Sequence, residues 1–527
     1  MRLLDARASR ELDRLSCRKY GVESFALMRR AGEAVAAALL RRRPEARRTG
    51  VLVVCGRGNN GGDGLVAARA LAQAAVPVRL ALLGRAASLS GDAARALGEW
   101  RAGGQALVEC LSAEMLEPLL FPAPGVVVDA IVGTGLANEV SGLARAAIEQ
   151  INRCGAAVVA VDIASGVDAD TGAVMGDAVR ASLTVTFGFA KFGHVSYPGA
   201  AFCGELQIAD IGFAPQAVSE LPVAGWLTEA QEARALLRPR PPTAHKGLYG
   251  HVLVIAGSQG KAGAAMLAAD GALRAGAGLV TAVVPQSVAA VVAGGRRELM
   301  TEAAPEREGR FDPPRTVAML ERLVEGKTVL VAGPGVGASE EMRELVLWLI
   351  SKGCTLRRPL VLDADGLNVL ALVGVDTLGR AGGPVLVTPH PGEMARLLRT
   401  SAAEVNANRV AAARRLIGYN AAGVLLKGAR SVIAGAQGEI RINSSGNPGM
   451  AGPGMGDGLA GIVAALVAQG YAAVEALALG AYLHGAAADR VARLRGPVGY
   501  LAGEVLEALP GVLAELGCWA PAWPSCP

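Results

Sequence analysis

The sequence feature that most constrains the fold is a glycine-dense turn between two apolar segments. Residues 56–64 hold five glycines and lie between the apolar run Val51–Cys55 and a helical pattern at 65–72. A strand, a glycine turn and a helix start bring backbone N–H groups and the positive end of the helix dipole to one point, which suits a phosphate. Because five glycines are entropically costly in a mere connection, the order predicts a βα unit whose turn binds an anion.

Apolar runs alternate with helical patterns on both sides of a proline-dense connector at residues 236–243. Before the connector, strands are predicted at 51–55, 78–83, 126–128, 157–161 and 182–187, and helices at 9–41, 91–103 and 142–153. After it, strands are predicted at 251–256, 279–284, 328–332, 359–362, 385–388 and 424–427, with a helix at 263–275 and a hairpin at 431–442. Such alternation is typical of βαβ units and parallel sheets. Since 527 residues are too many for one core, we predict an α/β protein of two domains.

Composition and charge exclude several classes of protein. The net charge of +5, from 52 basic and 47 acidic residues, is too balanced for a nucleic-acid partner. The N-terminus carries charges where a signal peptide needs an apolar core. The longest apolar stretch, 458–488, is rich in Ala and Gly, so we predict two buried helices and no membrane span. Eight cysteines without CxxC or metal spacing indicate buried thiols in a reducing compartment, and we expect a cytoplasmic protein.

The first glycine turn matches the GxGxxG spacing, which is weak evidence by itself. The acidic residue that an NAD site places after the next strand is missing, and so is the Lys-Ser/Thr pair of a P-loop. The turn instead carries Asn59, Asn60 and Asp63 beside its backbone donors. We therefore predict a phosphate or ribose site, with a purely structural turn as the alternative.

Two carboxylates, Asp129 and Asp162, directly follow predicted strands. Ligands of parallel sheets bind beyond the carboxyl ends of the strands, so we expect both to face one crevice with Asn60 and Ser165. Oxygen groups at this density suit a hard cation, or a general acid or base beside one. The alternative for each carboxylate is a helix cap or a turn.

A second glycine-dense turn, residues 446–461, leads into an apolar helix. Its Gly456-Asp457 pair supplies an anion hole and a carboxylate that can deprotonate a hydroxyl, as in ribokinase-like sugar and vitamin kinases. His390 lies between two prolines at a strand end, and this position favours a ligand contact over a structural role. The segment 427–431 offers two cations for nucleotide phosphates. The segment 363–366, Asp-Ala-Asp-Gly, could equally hold a metal or cap a helix.

Taken together, these motifs resemble the bifunctional NAD(P)H-hydrate repair enzymes over nearly the whole chain. Residues 27–32, 55–64, 133–136 and 161–168 look like the epimerase domain, and residues 245–247, 257–258, 276–280, 333–337, 388–393, 427–431 and 456–457 look like the dehydratase domain. The resemblance implies a Rossmann-like three-layer epimerase domain at 1–222 and a ribokinase-like α/β dehydratase domain at 223–527. Such enzymes interconvert the R and S hydrates NADHX and NADPHX and dehydrate the S form with ADP in bacteria or ATP in eukaryotes; we expect ADP here.

The resemblance also implies site residues. The epimerase substrate would contact Asn59, Asn60, Gly61, Gly62, Asp63, Gly133, Thr134, Gly135, Leu136, Ala137, Asn138, Glu139 and Asp162, with potassium on Asn60, Asp129 and Ser165. The dehydratase substrate would contact Ala264, Gly335, His390 and Asp457, and the nucleotide would contact Lys427, Gly428, Ala429, Arg430, Ser431 and Gly456. Asp162 and Asp457 would be the catalytic residues, Mg²⁺ would serve the dehydratase domain, and a homo-oligomer is expected.

The sequence departs from the family pattern at four positions. Ala164 and Phe192 stand where proline is usual, Met455 replaces a small hydroxyl residue, and Gly458 replaces valine. None of these removes a proton-transfer residue, but they put the dehydratase rate and nucleotide preference in doubt. Two rival hypotheses remain: a vitamin or sugar kinase with an accessory N-terminal domain, and a non-catalytic nucleotide-binding module.

Overall fold

The computed structural model describes residues 1–353 and 358–517. By its internal contacts the chain divides into two compact units: Arg2–Gly225, and Trp226 onward together with Met1. The five cysteines of the described part are free thiols, and four of them are buried. The other three, Cys354, Cys518 and Cys526, lie outside the described residues.

The N-terminal unit is built on a parallel sheet flanked by helices. Its strands are β1 (Arg2–Leu4), β2 (Val51–Cys55), β3 (Val78–Leu83), β4 (Val108–Cys110), β5 (Val126–Ala130), β6 (Ala157–Val161), β7 (Leu183–Phe187), β8 (Ala190–Lys191) and β9 (Glu205–Ala209). Its helices are α1 (Ala6–Arg14), α2 (Ser24–Arg42), α3 (Ala46–Thr49), α4 (Asn59–Gln73), α5 (Gly91–Ala102), α6 (Ala113–Leu120), α7 (Gly142–Arg153), α8 (Phe192–Val195) and α9 (Pro215–Glu220). Seven strands form the sheet in the order β4-β3-β2-β5-β6-β7-β9, all parallel. The predicted α/β class is confirmed.

Strand register places three loops at one edge of this sheet. Cys55 at the end of β2 pairs with Ala130 at the end of β5, and Asp129 in β5 pairs with Ala160 in β6. β2 and β5 are completely buried, as expected for central parallel strands covered on both faces. The loops that follow β2, β5 and β6 therefore leave the sheet side by side, which is the arrangement the sequence predicts.

The prediction of one helical region at 9–41 is wrong, because the region is interrupted. Helix α1 ends at Arg14, a π-helical turn covers Leu15–Lys19, and α2 starts only at Ser24. Gly21 lies in the break with a φ of 71°, a left-handed conformation that ends a helix at low cost. A second correction concerns β5, which continues through Asp129 to Ala130, so that this carboxylate belongs to the strand.

The C-terminal unit is a second α/β unit. Its strands are β10 (Gly225–Thr228), β11 (His251–Ile255), β12 (Leu279–Pro285), β13 (Met300–Ala304), β14 (Glu306–Arg307), β15 (Arg310–Phe311), β16 (Val329–Ala332), β17 (Leu360–Leu362), β18 (Val385–Val387), β19 (Gly423–Leu426), β20 (Val432–Gly435) and β21 (Ile440–Asn443). Its helices are α10 (Ala230–Leu236), α11 (Ala262–Arg274), α12 (Gln286–Gly295), α13 (Pro313–Leu323), α14 (Met342–Trp348), α15 (Asp365–Val373), α16 (Pro391–Leu398), α17 (Ala402–Ala407), α18 (Arg409–Ile417), α19 (Met455–Ala468), α20 (Ala473–Arg495) and α21 (Ala502–Glu515). The sheet order is β13-β12-β11-β16-β17-β18-β19-β20-β21-β10. It is parallel from β13 to β19 and antiparallel across the predicted hairpin β20–β21.

Helices α19 and α20 confirm the prediction of two buried helices in the apolar stretch 458–488. Helix α19 packs closely against α11, and glycines make the contact possible. A methyl group at Gly271 would lie 2.2 Å from the carbonyl oxygen of Gly458, and one at Gly461 would lie 1.9 Å from that of Ala268. Among the described residues, no helix combines the length and the apolar character that crossing a membrane requires.

Candidate active sites

A cleft of about 890 Å³ lies at the loop edge of the N-terminal sheet. The three predicted loops meet there: the glycine turn lines it from Gly56 to Asn60, the loop after β5 from Ile131 to Gly135, and the loop after β6 with Asp162. Of the predicted contact residues, Asn59, Asn60, Asp63, Gly133, Thr134, Gly135 and Asp162 line the cleft. The others, Gly61, Gly62, Leu136, Ala137, Asn138 and Glu139, are not among the side chains that line it.

Two glycines of the turn are required by close backbone approaches. A methyl group at Gly56 would lie 2.0 Å from the carbonyl oxygen of Ile131, and one at Gly61 would lie 2.0 Å from that of Gly56. Helix α4 begins at Asn59, directly after the extended residue Gly58, so its first backbone N–H groups open toward the cleft. The turn thus has both a packing role and free donors for an anion.

Asp162 has an unusual backbone and a strong partner. Its φ is 65°, a conformation that non-glycine residues seldom adopt, and the residue is 9% exposed. Its Oδ1 accepts hydrogen bonds from Lys191 Nζ at 2.6 Å and Thr186 Oγ1 at 3.0 Å. Burial opposes ionisation, but the positive charge and hydrogen bond of Lys191 outweigh it and lower the pKa of Asp162. The carboxylate is therefore ionised and can accept a proton.

Lys191 and His194 are functional candidates that the sequence reasoning missed. The sequence pattern singles out only the next residue, Phe192, yet the side chain of Lys191 is buried and lines the cleft. One signal was available in the composition. Only seven of the 52 basic residues are lysines. Because arginine and lysine are not interchangeable, each lysine in this arginine-rich chain is a candidate for a specific role.

Two further carboxyl groups, Asp13 and Asp63, line the same cleft. Desolvation by the cleft walls and the negative charge of Asp162 raise the pKa of Asp13 to about 6. The same two causes, desolvation first, raise the pKa of Asp63 well above its ordinary value. Asp13 lies on α1, far from any glycine motif, and the sequence reasoning missed it.

The expectation that Asp129 and Ser165 face the crevice is wrong. Both are fully buried behind it, where Asp129 accepts from Ser165 Oγ at 2.6 Å, Ser165 N at 2.8 Å and Ile131 N at 3.2 Å. Burial raises the pKa of Asp129 to about 6 despite these bonds. Asn60 does reach the cleft, and its buried amide has no hydrogen-bond partner among the described residues. Its unpaired oxygen, beside Gly133, is the kind of ligand that a potassium ion takes.

In the C-terminal unit, Asp457 lies in the first turn of α19 and belongs to a cluster of charged side chains. Lys427, after β19, places its Nζ 2.6 Å from Asp363 Oδ1 and 3.8 Å from Glu393 Oε2. Desolvation and the charge of Asp363 raise the pKa of Asp457 to about 6, against the opposing charge of Lys427. The strands β17, β18 and β19 are neighbours, which is why their following residues meet.

Gly456 leaves one side of this cluster open. A methyl group there would lie 3.1 Å from Lys427 Nζ and 3.5 Å from Asp363 Oδ2. The Oδ2 atom of Asp363 is buried and has no hydrogen-bond partner among the described residues. Because Gly456 has no side chain, the polar groups of Lys427 and Asp363 can lie close to the backbone at the start of α19.

His390 and Glu393 form a capping box at the start of α16. Nδ1 of His390 accepts from the backbone N–H of Gly392 at 3.0 Å, which leaves Nε2 as its donor, and half of the side chain is exposed. Burial, followed by the charge of Lys427, lowers the pKa of His390. Burial raises the pKa of Glu393 to about 7, although Lys427 opposes this. His390 is therefore neutral at physiological pH.

The remaining predicted substrate residues lie together. A methyl group at Gly335 would lie 3.0 Å from Ala264 Cβ, and the carbonyl of Gly335 accepts from Ser258 Oγ at 2.7 Å. Asp365 starts α15 and pairs with Lys261 at 3.1 Å. Within the described ranges, no group of three or more His, Cys, Asp or Glu is arranged to hold a metal ion. The metal alternative for 363–366 therefore finds no support in this geometry.

The loop 427–431 is organised by Arg409, which the sequence reasoning missed. Its guanidinium donates to the carbonyl oxygens of Ala429 at 2.5 Å, Leu426 at 2.9 Å and Lys427 at 3.1 Å. Burial lowers the pKa of Arg409 to about 10. The two cations expected to face phosphates have protein partners instead: Lys427 pairs with Asp363, and Arg430 donates to the carbonyl of Ser444 at 2.9 Å.

Two family models match the chain, one in each unit. The model of the NAD(P)H-hydrate dehydratase family matches residues 252–511, and the model of the YjeF-related protein N-terminus matches residues 24–193. The first match contains the Asp457 cluster, and the second contains the glycine turn, Asp162 and Lys191.

Curated relatives match over nearly the full length. The bifunctional NAD(P)H-hydrate repair enzyme Nnr of Moorella thermoacetica is 43% identical over 98% of this chain and 97% of its own. The enzyme of the same name from Escherichia coli is 36% identical over 93% and 89%. A crystal structure of the ADP/ATP-dependent NAD(P)H-hydrate dehydratase from Bacillus subtilis with ATP/Mg²⁺ is 27% identical, with a TM-score of 0.48 over 55% of this chain and 99% of that one.

Proposed function

Since this chain belongs to the family of bifunctional NAD(P)H-hydrate repair enzymes, we propose that it interconverts the R and S epimers of NADHX and NADPHX and dehydrates the S epimer with ADP. We assign the epimerase to residues 1–222 and the dehydratase to residues 223–527. The observation that carries the proposal is the presence of two separate acid–base clusters, one in each unit. Each has a candidate catalytic aspartate, Asp162 or Asp457, near a lysine that is paired with a carboxylate.

In the epimerase unit, Asp162 is the proton acceptor. The reacting carbon, C6 of the hydrated nicotinamide ring, carries a hydroxyl and is bonded to the ring nitrogen. An ionised carboxylate takes the hydroxyl proton as the ring opens, or the proton of incoming water if the hydroxyl departs first. In the second route, Asp63 supplies the proton to the leaving hydroxyl, since desolvation and the charge of Asp162 raise its pKa and so favour its protonated form. The N–H groups at the start of α4 hold the phosphates of the substrate.

The potassium ion that we propose for this unit would be held by Asn60, with Asp129 and Ser165 supporting it from behind the cleft. The unpaired amide oxygen of Asn60 is the observation that fits this ion. A bound potassium ion supplies a fixed positive charge for the oxygens of the substrate. The hydrogen bonds among Asp129, Ser165 and Ile131 join the loops that follow β5 and β6.

In the dehydratase unit, Asp457 deprotonates the C6 hydroxyl so that this oxygen can attack a nucleotide phosphate, after which elimination restores the dihydropyridine ring. The backbone donors beside Gly456 hold the developing charge. The loop 427–431, fixed by Arg409, contacts the nucleotide, and Ala264, Gly335 and His390 contact the hydrate. Magnesium, bound mainly through the nucleotide phosphates, would neutralise their charge.

Two substitutions test the assignment with a mixed pool of R and S NADPHX. Asp457→Asn is expected to abolish the recovery of absorbance at 340 nm, lowering the rate at least about a hundredfold because the base is lost. Asp162→Asn is expected to repair only the S epimer, so that chromatography shows the R epimer left behind. Parallel reactions with ADP and ATP decide the nucleotide. Normal repair by both variants, or phosphorylation of a vitamin precursor without hydrate turnover, would contradict the proposal.

A further inference from the structure

Asp162 is held at two points by one short segment, the turn from Lys191 to His194. Lys191 Nζ contacts the carboxylate at 2.6 Å and also donates to Thr186 Oγ1 at 2.7 Å. At the other end of the turn, His194 Nε2 lies 2.8 Å from the main-chain carbonyl oxygen of Asp162. The side chain and the backbone of the same residue are therefore fixed by neighbouring positions of the chain.

The protonation of His194 follows from its neighbours. The backbone N–H of Lys191 donates to Nδ1 of the ring at 2.9 Å, so Nδ1 carries no proton. The proton is then on Nε2, from which it is donated to the carbonyl of Asp162. Burial lowers the pKa of His194 to about 4, so the ring is neutral throughout the physiological range. A neutral histidine holds the backbone without adding a charge beside Lys191.

These contacts are needed because both the backbone conformation and the ionised state of Asp162 are energetically unfavourable. Its φ of 65° is a conformation that persists in a non-glycine residue only where the surroundings fix it. Its carboxylate is also buried at the cleft that Asp13 and Asp63 line, and desolvation favours its protonated form. Lys191 is the cation in direct contact with it.

The hold also leaves one carboxylate oxygen available. Both hydrogen bonds to the carboxylate, from Lys191 and Thr186, reach Oδ1. In the described part of the chain, Oδ2 has no hydrogen-bond partner, and the residue lines the cleft. Oδ2 is therefore the oxygen that exchanges a proton with the substrate.

We propose that Lys191 is a positioning residue for epimerisation, forming with His194 a clamp that keeps Asp162 ionised and its Oδ2 directed to the substrate. The inference rests on the proposed epimerase function of this unit. Lys191 acts through Asp162 and transfers no proton itself. Without its charge, Asp162 would be protonated at a pH where the enzyme works, and proton abstraction would stop.

The first test follows the carboxyl of Asp162 directly, in the full-length protein labelled with ¹³C-aspartate. Asp162→Asn identifies its signal, and Asp13→Asn in each background removes a group in the cleft whose pKa of about 6 lies in the range measured. Asp63 also lines the cleft, and His194 contacts the main-chain carbonyl of Asp162. The Asp162 signal of the wild type is expected to stay constant between pH 5 and 8. In Lys191→Met its midpoint moves into this range, a shift of more than one pH unit. Lys19→Met, which breaks a surface pair with Glu220, is the matched control and leaves the signal unchanged.

The second test is the rate of epimer interconversion at pH 6 and pH 8. Relative to wild type, Lys191→Met is expected to lose at least tenfold more activity at pH 6 than at pH 8, whereas Lys191→Arg keeps the wild-type ratio. A ¹³C-aspartate spectrum whose other signals match the wild type verifies that the N-terminal unit is folded. Lys191→Gln replaces Lys191→Met if that variant is not.

The two tests separate the clamp from the proposed function. An unchanged Asp162 titration in Lys191→Met, or an equal loss of activity at both pH values, would overturn the clamp. If the wild type does not interconvert the epimers, the proposed function fails, while the ¹³C titration still decides whether Lys191 controls Asp162.

Discussion

At the scale of single residues, the two sites use one type of side chain in different protonation states. Lys191 contacts Asp162 and lowers its pKa, whereas desolvation raises the pKa of Asp63. In the other unit, Lys427 contacts Asp363 and leaves Asp457 with a raised pKa. In the N-terminal unit, the contact with Lys191 thus sets Asp162 apart from the other carboxyl groups of the cleft. Separating the protonation states of neighbouring carboxyl groups is a common way to obtain acid and base chemistry at one pH.

The raised pKa of Asp457 predicts how the dehydration rate falls at acid pH. The base must be deprotonated, so the rate with S-NADPHX and ADP is expected to fall about tenfold per pH unit below pH about 6. The measurement is the initial rate at 340 nm between pH 5 and 8, corrected for the uncatalysed reaction.

Asp363→Asn sharpens this test. Removing the negative charge of Asp363, which raises the pKa of Asp457, should move the acid limb to lower pH. A rate that does not change between pH 5 and 7, or a limb at the same pH in the variant, would show that Asp457 is not the base.

The sequence could predict the residues that belong to local patterns. Asp162 and Asp457 follow strands or start helices, so their position is a short-range property. Their partners are not predictable in this way, because Lys191 lies 29 residues from Asp162 and Lys427 lies 64 residues from Asp363. Such pairs depend on strand register and on the course of the loops. Arg409 was missed for the same reason, since it binds carbonyl oxygens and needs no motif.

At the scale of elements, the contact between α11 and α19 sets the position of Asp457. Gly271 of α11 lies against the carbonyl of Gly458, the residue that follows Asp457. A valine at position 458 would here meet the side chain of Leu506, since a methyl group at Gly458 would lie 3.0 Å from Leu506 Cδ2. Glycine at position 458 therefore avoids a close contact with Leu506, while Gly271 permits the close approach of α11 to α19.

Gly271→Ala is expected to separate the two helices. A methyl group 2.2 Å from a backbone oxygen forces a backbone shift, which should destabilise the C-terminal unit by about 2 kcal/mol and displace Asp457. The measurements are the thermal unfolding midpoint and the dehydration rate, both of which should fall while epimerisation is retained.

Gly263→Ala is the matched control in the same helix. A methyl group at Gly263 would have no atom within 4 Å, so this variant should keep its activity and gain up to about 1 kcal/mol from helix propensity. Equal behaviour of the two variants would show that the close contact between α11 and α19 does not fix Asp457.

At the scale of the whole molecule, alternation of strands and helices was sufficient to predict two α/β units. The predicted strands of both halves are present. The first glycine turn follows β2, and the second precedes α19. Strand order could not be predicted, because βαβ alternation is compatible with several orders of the same strands. The break between α1 and α2 was missed since Gly21 is a single residue within a helical pattern.

The presence of one candidate site in each unit predicts that two defective chains complement each other. Asp162→Asn retains the dehydratase and Asp457→Asn retains the epimerase, and the S epimer can diffuse between separate molecules. An equimolar mixture is therefore expected to repair the whole of a mixed hydrate pool, whereas each variant alone leaves R epimer or all hydrate behind. Chromatography of both epimers over time is the measurement. Failure of the mixture to repair the R epimer would show that the two reactions must occur on one chain.

The helices that carry the site carboxylates also bear on the chemical ageing of the protein. Asp-Gly bonds are prone to cyclise to succinimides, because the glycine nitrogen can attack the aspartate carboxyl. The chain has four such bonds, at Asp63, Asp270, Asp365 and Asp457, and all four lie inside α4, α11, α15 and α19. The glycine nitrogens after Asp365 and Asp457 donate to the carbonyls of Asp363 and Gly454, which keeps them from the attacking geometry. A protein proposed to repair damaged coenzymes thus keeps its four Asp-Gly bonds in helices, where the backbone hinders the attack of the glycine nitrogen.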